Sequence, residues 1–145
     1  MAPRWYEHAL KDKGLKEIPG QGANPRIVEM FTHTTYHAKS DEVSWCAAGM
    51  CCWLEECGIP STHSAAAISY ETYGTKLTEL RQGAILVFKR RVQGRPDARH
   101  VTFCSSEWTD THAYCFGANQ HNMADYSWMP LKDLEEIRWP KGEPL

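Results

Sequence analysis

Ser44-Trp45-Cys46-Ala47-Ala48-Gly49-Met50-Cys51-Cys52-Trp53-Leu54-Glu55-Glu56-Cys57-Gly58 is the stretch on which the fold turns. Cys46, Gly49, Met50, Trp53, Leu54 and Cys57 recur at i, i+3, i+4 and i+7, the spacing of a helix with one buried stripe. Ser44 or Asp41 is suited to cap that helix. Gly58 suits a left-handed stop after its last turn, and Pro60 forbids continuation. The spacing therefore predicts a buried helix that begins at a polar-to-apolar boundary, with a cysteine in its first turn.

Outward from this helix the periodicity changes. Upstream, Trp5 to Leu15 reads as a short amphipathic helix with Trp5, His8, Ala9 and Leu15 inward, and Gly14 ends it. A loop rich in Gly and Pro follows. Asn24 then stands where a cap belongs and Pro25 at the first helical position, before Ile27, Val28, Met30 and Phe31. Downstream, Ser64 to Ser69 fits a short helix or a packed loop. Ala84-Ile85-Leu86-Val87-Phe88 has the length and composition of a strand. Gly94 and Pro96 turn the chain, and His100 to Ser105 alternates, with Val101 and Phe103 opposite His100, Thr102 and Cys104. His112 to Phe116 alternates again, and Tyr126 to Met129 and Glu136 to Trp139 read as closing strands. Helices first and an antiparallel meander after them make the class α+β. No repeat or low-complexity segment interrupts a chain of 145 residues, so residues 1–145 read as one domain.

Composition narrows the function classes. A hydrophobic fraction of 42% is enough for a core without disulfide staples. Four of the six cysteines fall on the one helix, where narrow disulfide geometry disfavours pairing, so the thiols read as free and synthesis as cytosolic. Met1 to Leu15 is charged throughout, without the apolar run of a signal peptide. No apolar run reaches membrane-spanning length. A formal net charge of −2 gives no global signature of a nucleic-acid binder. Lys89, Arg90, Arg91, Arg95 and Arg99 cluster around one loop, which reads either as a solvated hairpin tip or as a basic lip for an anionic polymer such as bacterial wall. Six tryptophans and six tyrosines read first as core and rim packing, and second as a groove for sugars or peptides.

The chemistry resides in three residues. Cys46 sits where the positive end of a helix favours thiolate over thiol, and where unpaired N–H groups can hold an oxyanion. Cys51, Cys52, Cys57, Cys104 and Cys115, in mid-helix or in strands, read as small buried hydrophobes. His100 heads its strand and is the natural base. Asn119, in Gly117-Ala118-Asn119-Gln120, is placed to accept the second imidazole N–H and hold the ring, and Gln120 competes for that role. His33 and His37, at i and i+4, lack the glutamate of the metalloprotease helix, and His112 and Cys115 fall on opposite strand faces, so no metal and no cofactor is expected.

In order along the chain, Glu17-Ile18-Pro19-Gly20, Asn24-Pro25-Arg26-Ile27, Asp41-Glu42-Val43-Ser44-Trp45-Cys46-Ala47-Ala48, Gly83-Ala84-Ile85-Leu86-Val87-Phe88, Arg99-His100-Val101, Gly117-Ala118-Asn119-Gln120 and Ile137-Arg138-Trp139-Pro140 form a set that resembles the NlpC/P60-like and CHAP families of peptidoglycan hydrolases, in particular the small single-domain type that phages use as endolysins. The resemblance implies a papain-like fold with the nucleophile helix packed on an antiparallel sheet. It implies Cys46 as nucleophile, His100 as base and Asn119 as orienter, with Gln120 as a possible auxiliary. The implied activity is that of a cysteine-dependent endopeptidase or N-acetylmuramoyl-L-alanine amidase, which acts on the bacterial wall peptide through a thioester and lyses the host. Two positions depart from the family pattern: Phe116-Gly117-Ala118 lacks the glutamate often found before the asparagine, and Arg99 replaces a small glycine before the histidine. Trp45, Asp41 and Arg99 are the expected substrate contacts. Calcium loops of some CHAP relatives are missing. The expected partner is peptidoglycan, for a monomer made in the bacterial cytoplasm and released to the periplasm or wall. An injected antibacterial effector, a non-catalytic wall-binding module of the same fold, and a thiol hydrolase acting on another amide or ester are the competing readings.

Overall fold

A computed structural model describes residues 2–18, 24–36 and 44–145. Three helices, α1 (Arg4–Leu10), α2 (Pro25–Phe31) and α3 (Cys46–Glu56), precede a 3-10 helix over Ala67–Thr72 and six strands. The strands are β1 (Thr75–Lys76), β2 (Ile85–Lys89), β3 (Arg99–Trp108), β4 (His112–Gln120), β5 (Met123–Pro130) and β6 (Leu134–Trp139), with a further 3-10 turn over Leu131–Asp133. They form one antiparallel sheet in the order β1-β6-β2-β3-β4-β5. The architecture is thus mixed α+β with helices against an antiparallel sheet. Among the described residues, no helix is long and apolar enough to cross a membrane.

Local chemistry accounts for most element ends. The Asn24 side chain accepts a hydrogen bond from the Arg26 backbone N–H at 2.9 Å, with Pro25 at the first helical position, so the expected cap is present. α3 ends at Glu56, and Gly58 takes φ +75°, the left-handed conformation that glycine adopts without a Cβ penalty. The start of α3 differs from expectation. Its N-cap residue is Trp45, no side chain caps it, and Ser44 makes no capping bond. Asp41, the other expected cap, lies outside the described residues. α1 stops at Leu10, short of the expected Leu15, and its buried face is Trp5, Tyr6 and Ala9 rather than His8.

The core forms where α3 lies across β3 and β4. Trp53 packs on Phe103 and Phe116 with ring centroids 6.1 and 5.7 Å away. Tyr6 meets Phe103 edge-on, and Trp5 meets Trp139 at 5.0 Å. Each fully buried aromatic contributes about 1.5–3 kcal/mol of transfer free energy. Gly49 is the point of closest approach, because a Cβ built there would stand 2.6 Å from the Ala118 Cβ. One residue without a side chain therefore lets the front half of α3 settle onto the end of β4. Arg26 ties α2 to its neighbours by pairing with Asp12 at 2.9 Å and Glu56 at 2.8 Å, and Asp12 also accepts from the Trp53 indole at 2.8 Å.

Candidate active site

Cys46 is the first residue of α3, so its helical turn carries N–H groups with no carbonyl one turn back. The first bond within the turn runs from the Gly49 N–H to the Trp45 carbonyl at 2.9 Å. The N-terminus of α3 arrives at the end of the sheet where β3 begins and β4 finishes. There the Cys46 sulfur comes near enough to the His100 side chain and the Val101 backbone for both to lower its pKa. Ser44 Oγ lies 3.9 Å from the sulfur and accepts from the Asn119 amide at 3.3 Å. Cys46 is 3% exposed and His100 9% exposed, so both side chains are buried.

His100 Nε2 lies 2.9 Å from Gln120 Oε1. The direction of this bond follows from the other end of the amide. Gln120 Nε2 donates to the Cys115 carbonyl at 3.1 Å and to the Asp125 carbonyl at 2.7 Å, so Oε1 faces the ring and Nε2 of His100 carries the proton. Nδ1 is then the nitrogen left for the thiol. Imidazole and amide are thus joined by a hydrogen bond, and the thiol lies on the other side of the ring, where the His100 charge acts on it.

The amide that reaches His100 is Gln120, where Asn119 was expected, and a β-bulge is the reason. β3 and β4 pair Phe103 with Phe116 and Cys104 with Cys115. Continued without a break, that register would set Asn119 directly across from His100. Instead Asn119 takes φ +59°, and the register of β4 on β5 shifts between Gly117 and Gln120. The extra residue re-phases the strand. Gln120 swings to the face of His100 and Thr102, while Asn119 turns its amide to Ser44. Gly117 makes room for this, since a Cβ there would stand 2.4 Å from Thr102 Oγ1 and 2.9 Å from Gln120 Oε1. The cue available in the sequence was an Asn followed by a second amide residue, because Asn tolerates the left-handed conformation that a bulge needs.

The electrostatics separate Cys46 from the other thiols. Burial pushes its pKa up, but the hydrogen bond and charge of His100, with the Val101 backbone and Ser44, outweigh that and bring it down to about 7. Burial pulls His100 down, while the Cys46 thiolate and the Gln120 bond raise it above the ordinary imidazole value, and the Arg90 charge opposes them. The two shifts favour the thiolate–imidazolium state. Cys104 is pushed up by burial to about 11, and burial likewise raises Cys52, Cys57 and Cys115.

The expected substrate contacts are placed differently. Trp45 is fully buried and donates from its indole to Glu17 at 3.3 Å, so it ties the start of α3 to the segment after α1 rather than lining an open groove. Arg99 is largely covered and pairs with Glu71 at 2.6 Å. Asp41 lies outside the described residues. Of the two histidines weighed as a metal pair, His33 pairs with Glu55 at 2.8 Å and His37 lies outside the described residues. His33, Cys52 and Glu56 do bring ligand atoms within 4.8 Å of one another. Both Glu56 oxygens, however, are already taken by Arg26, at 2.8 and 2.9 Å, and burial keeps the Cys52 thiol protonated.

Compared with family models, curated proteins and solved structures, the chain finds no match.

Proposed function

We propose that this chain is a cysteine hydrolase that cleaves amide bonds in the peptide of the bacterial cell wall, as a phage-type endolysin does. The observation that carries the reading is the placement of Cys46 at the head of α3 beside His100, an imidazole whose Nε2 is held by the buried Gln120 amide. Each part has a role in acyl transfer. The Cys46 thiolate attacks the carbonyl carbon, and the oxyanion that forms lies near the unpaired N–H groups at the start of α3. The C–N bond breaks as the His100 imidazolium gives its proton to the leaving amine. A thioester remains on Cys46. Neutral His100 then takes a proton from water, the hydroxide adds to the thioester, and the acid product leaves as the thiolate is regenerated. Gln120 keeps Nε2 protonated and Nδ1 aimed at the sulfur throughout, as the third member of a triad does.

The choice of wall peptide as substrate is supported by the ordered blocks that resemble NlpC/P60-like and CHAP enzymes, and by an α+β layout in which a cysteine-headed helix packs on an antiparallel sheet. Purified peptidoglycan incubated with the protein is expected to release new amines, and mass spectrometry of the fragments then reads whether the lactyl–alanine amide or a stem peptide bond is cut. Cys46→Ala is expected to fold and bind wall while releasing none. Retention of full activity by Cys46→Ala would remove the mechanism. Wall binding without amine release by the native protein would instead favour a binding module.

A further inference from the structure

The basic loop between β2 and β3 resolves into paired and unpaired charges. Lys89 pairs with Glu135 at 3.6 Å, Arg91 with Asp133 at 2.7 Å, Arg95 with Asp97 at 4.0 Å and Arg99 with Glu71 at 2.6 Å. Four of the five cations that suggested a basic lip are thus answered within the chain. Arg90 is exposed, and among the described residues its guanidinium has neither an ion pair nor a hydrogen bond.

Its position is set by the hairpin register. Phe88 pairs with His100 and Lys89 with Arg99, and the Arg90 N–H donates to the Ala98 carbonyl at 3.0 Å, which continues the ladder by one residue. Paired residues share a face and alternate residues return to it. Arg90 therefore stands on the same sheet face as His100, as its diagonal neighbour, about 7–8 Å away by ordinary strand geometry. Its charge reaches the ring, where it opposes protonation. A cation without a partner beside a catalytic imidazole is costly to the imidazolium unless an anion arrives with the substrate.

We propose that Arg90 receives a carboxylate of the substrate, so that the amide presented to Cys46 belongs to an acidic peptide with its free carboxylate close to the scissile bond. The proposal rests on the hydrolase reading for the word substrate, but its physical content is anion capture beside the sulfur. A bound carboxylate neutralises Arg90, relieves the imidazolium and fixes the peptide on the β2–β3 side of the thiol. A planar guanidinium fits a carboxylate with two parallel bonds, which a lysine ammonium cannot reproduce.

The test uses two alkylating agents of nearly equal size on the intact protein, iodoacetate and iodoacetamide, with the Cys46 adduct read by mass spectrometry. The ratio of their rate constants at fixed pH reports anion preference at the sulfur and needs no enzyme activity. Arg90→Gln is expected to lower the iodoacetate-to-iodoacetamide ratio about three- to fivefold, the scale of one partly exposed charge pair. Arg90→Glu is expected to lower it further, Arg90→Lys to lose less, and Arg91→Gln to leave it unchanged. A ratio untouched by Arg90→Gln, or lowered equally by Arg91→Gln, would overturn the assignment. A companion measurement compares two peptides that differ only in a carboxylate or a carboxamide beside the scissile amide. Arg90→Gln is expected to lower kcat/KM for the carboxylate peptide alone. If the alkylation ratio responds to Arg90 and neither peptide nor wall is cut, the anion site stands and the hydrolase reading falls.

Discussion

Replacing Gln120 by Leu tests the geometry of the candidate site most directly. The amide makes three bonds from a position only 5% exposed: it accepts from His100 Nε2 at 2.9 Å and donates to the Cys115 and Asp125 carbonyls at 3.1 and 2.7 Å. Leucine fills a similar volume and makes none of them. At about 1 kcal/mol for each net bond, the loss comes to roughly 3 kcal/mol, more if the buried imidazole N–H finds no other acceptor. Spread over the unfolding entropy of a domain this size, that corresponds to a fall in Tm of about 10 °C, measurable by calorimetry. The functional effect is separate from the stability effect. Without the acceptor the proton is free to sit on either imidazole nitrogen, and only one tautomer leaves Nδ1 open to the sulfur. The alkylation of Cys46 near neutral pH is therefore expected to slow in Gln120→Leu, at temperatures where the variant is fully folded. Asn119→Ala, which removes only a 3.3 Å bond to Ser44, is expected to keep both the rate and its pH profile. The opposite pattern, with Asn119→Ala crippled and Gln120→Leu unaffected, would refute the bulge argument.

The same geometry sets four further outcomes. The alkylation rate of Cys46 is expected to rise with pH around 7 rather than near the ordinary thiol value of 9, and in Cys46→Ser the His100 pKa, followed by NMR, is expected to drop, because burial then acts without the thiolate that opposes it. Gly117→Ala sets a methyl group against Thr102 and Gln120, so a loss of about 1–3 kcal/mol in chemical denaturation is expected together with slower Cys46 labelling; an unperturbed variant would mean that this end of β4 yields easily. Glu56 is held down to about 2, first by its hydrogen bond with Arg26 and against the effect of burial. A folded pKa below the unfolded one stabilises at pH above the ordinary 4.5 and is lost as pH falls toward 2, so the wild-type denaturation midpoint is expected to decline across that window and that of Arg26→Leu to decline less.

Much of the fold is legible from local chemistry alone. The stripe of Cys46, Met50, Trp53 and Leu54, the Asn24-Pro25 start and the Gly58 stop all obey rules that act within one or two turns, and the structure keeps them. β2 and the first half of β3 were legible for the same reason, as short apolar runs bounded by turn residues. The pairing of β1 with β6 was not, because two exposed residues, Thr75 and Lys76, carry no pattern and are ordered by Trp139 and Arg138 across the ladder. The site divides along the same line. Cys46 could be picked out by its place at the head of a helix and His100 by its place at the head of a strand. The choice between Asn119 and Gln120 depended on a one-residue shift of register, which period-two reasoning cannot see. Trp45 and Arg99, expected as substrate contacts, are instead committed to partners within the chain. Their partners, Glu17 and Glu71, lie 28 residues away in each case and could not be inferred from spacing.

The six free cysteines give this chain an internal gauge of its own integrity. Cys51, Cys52, Cys104 and Cys115 are enclosed by the core and burial raises the pKa of half-buried Cys57, so a mild electrophile is expected to consume one equivalent per intact molecule, at Cys46, and six once the polypeptide melts. The jump from one to six counts the molten fraction in any preparation without a substrate, and a stoichiometry already above one marks material whose interior has begun to open.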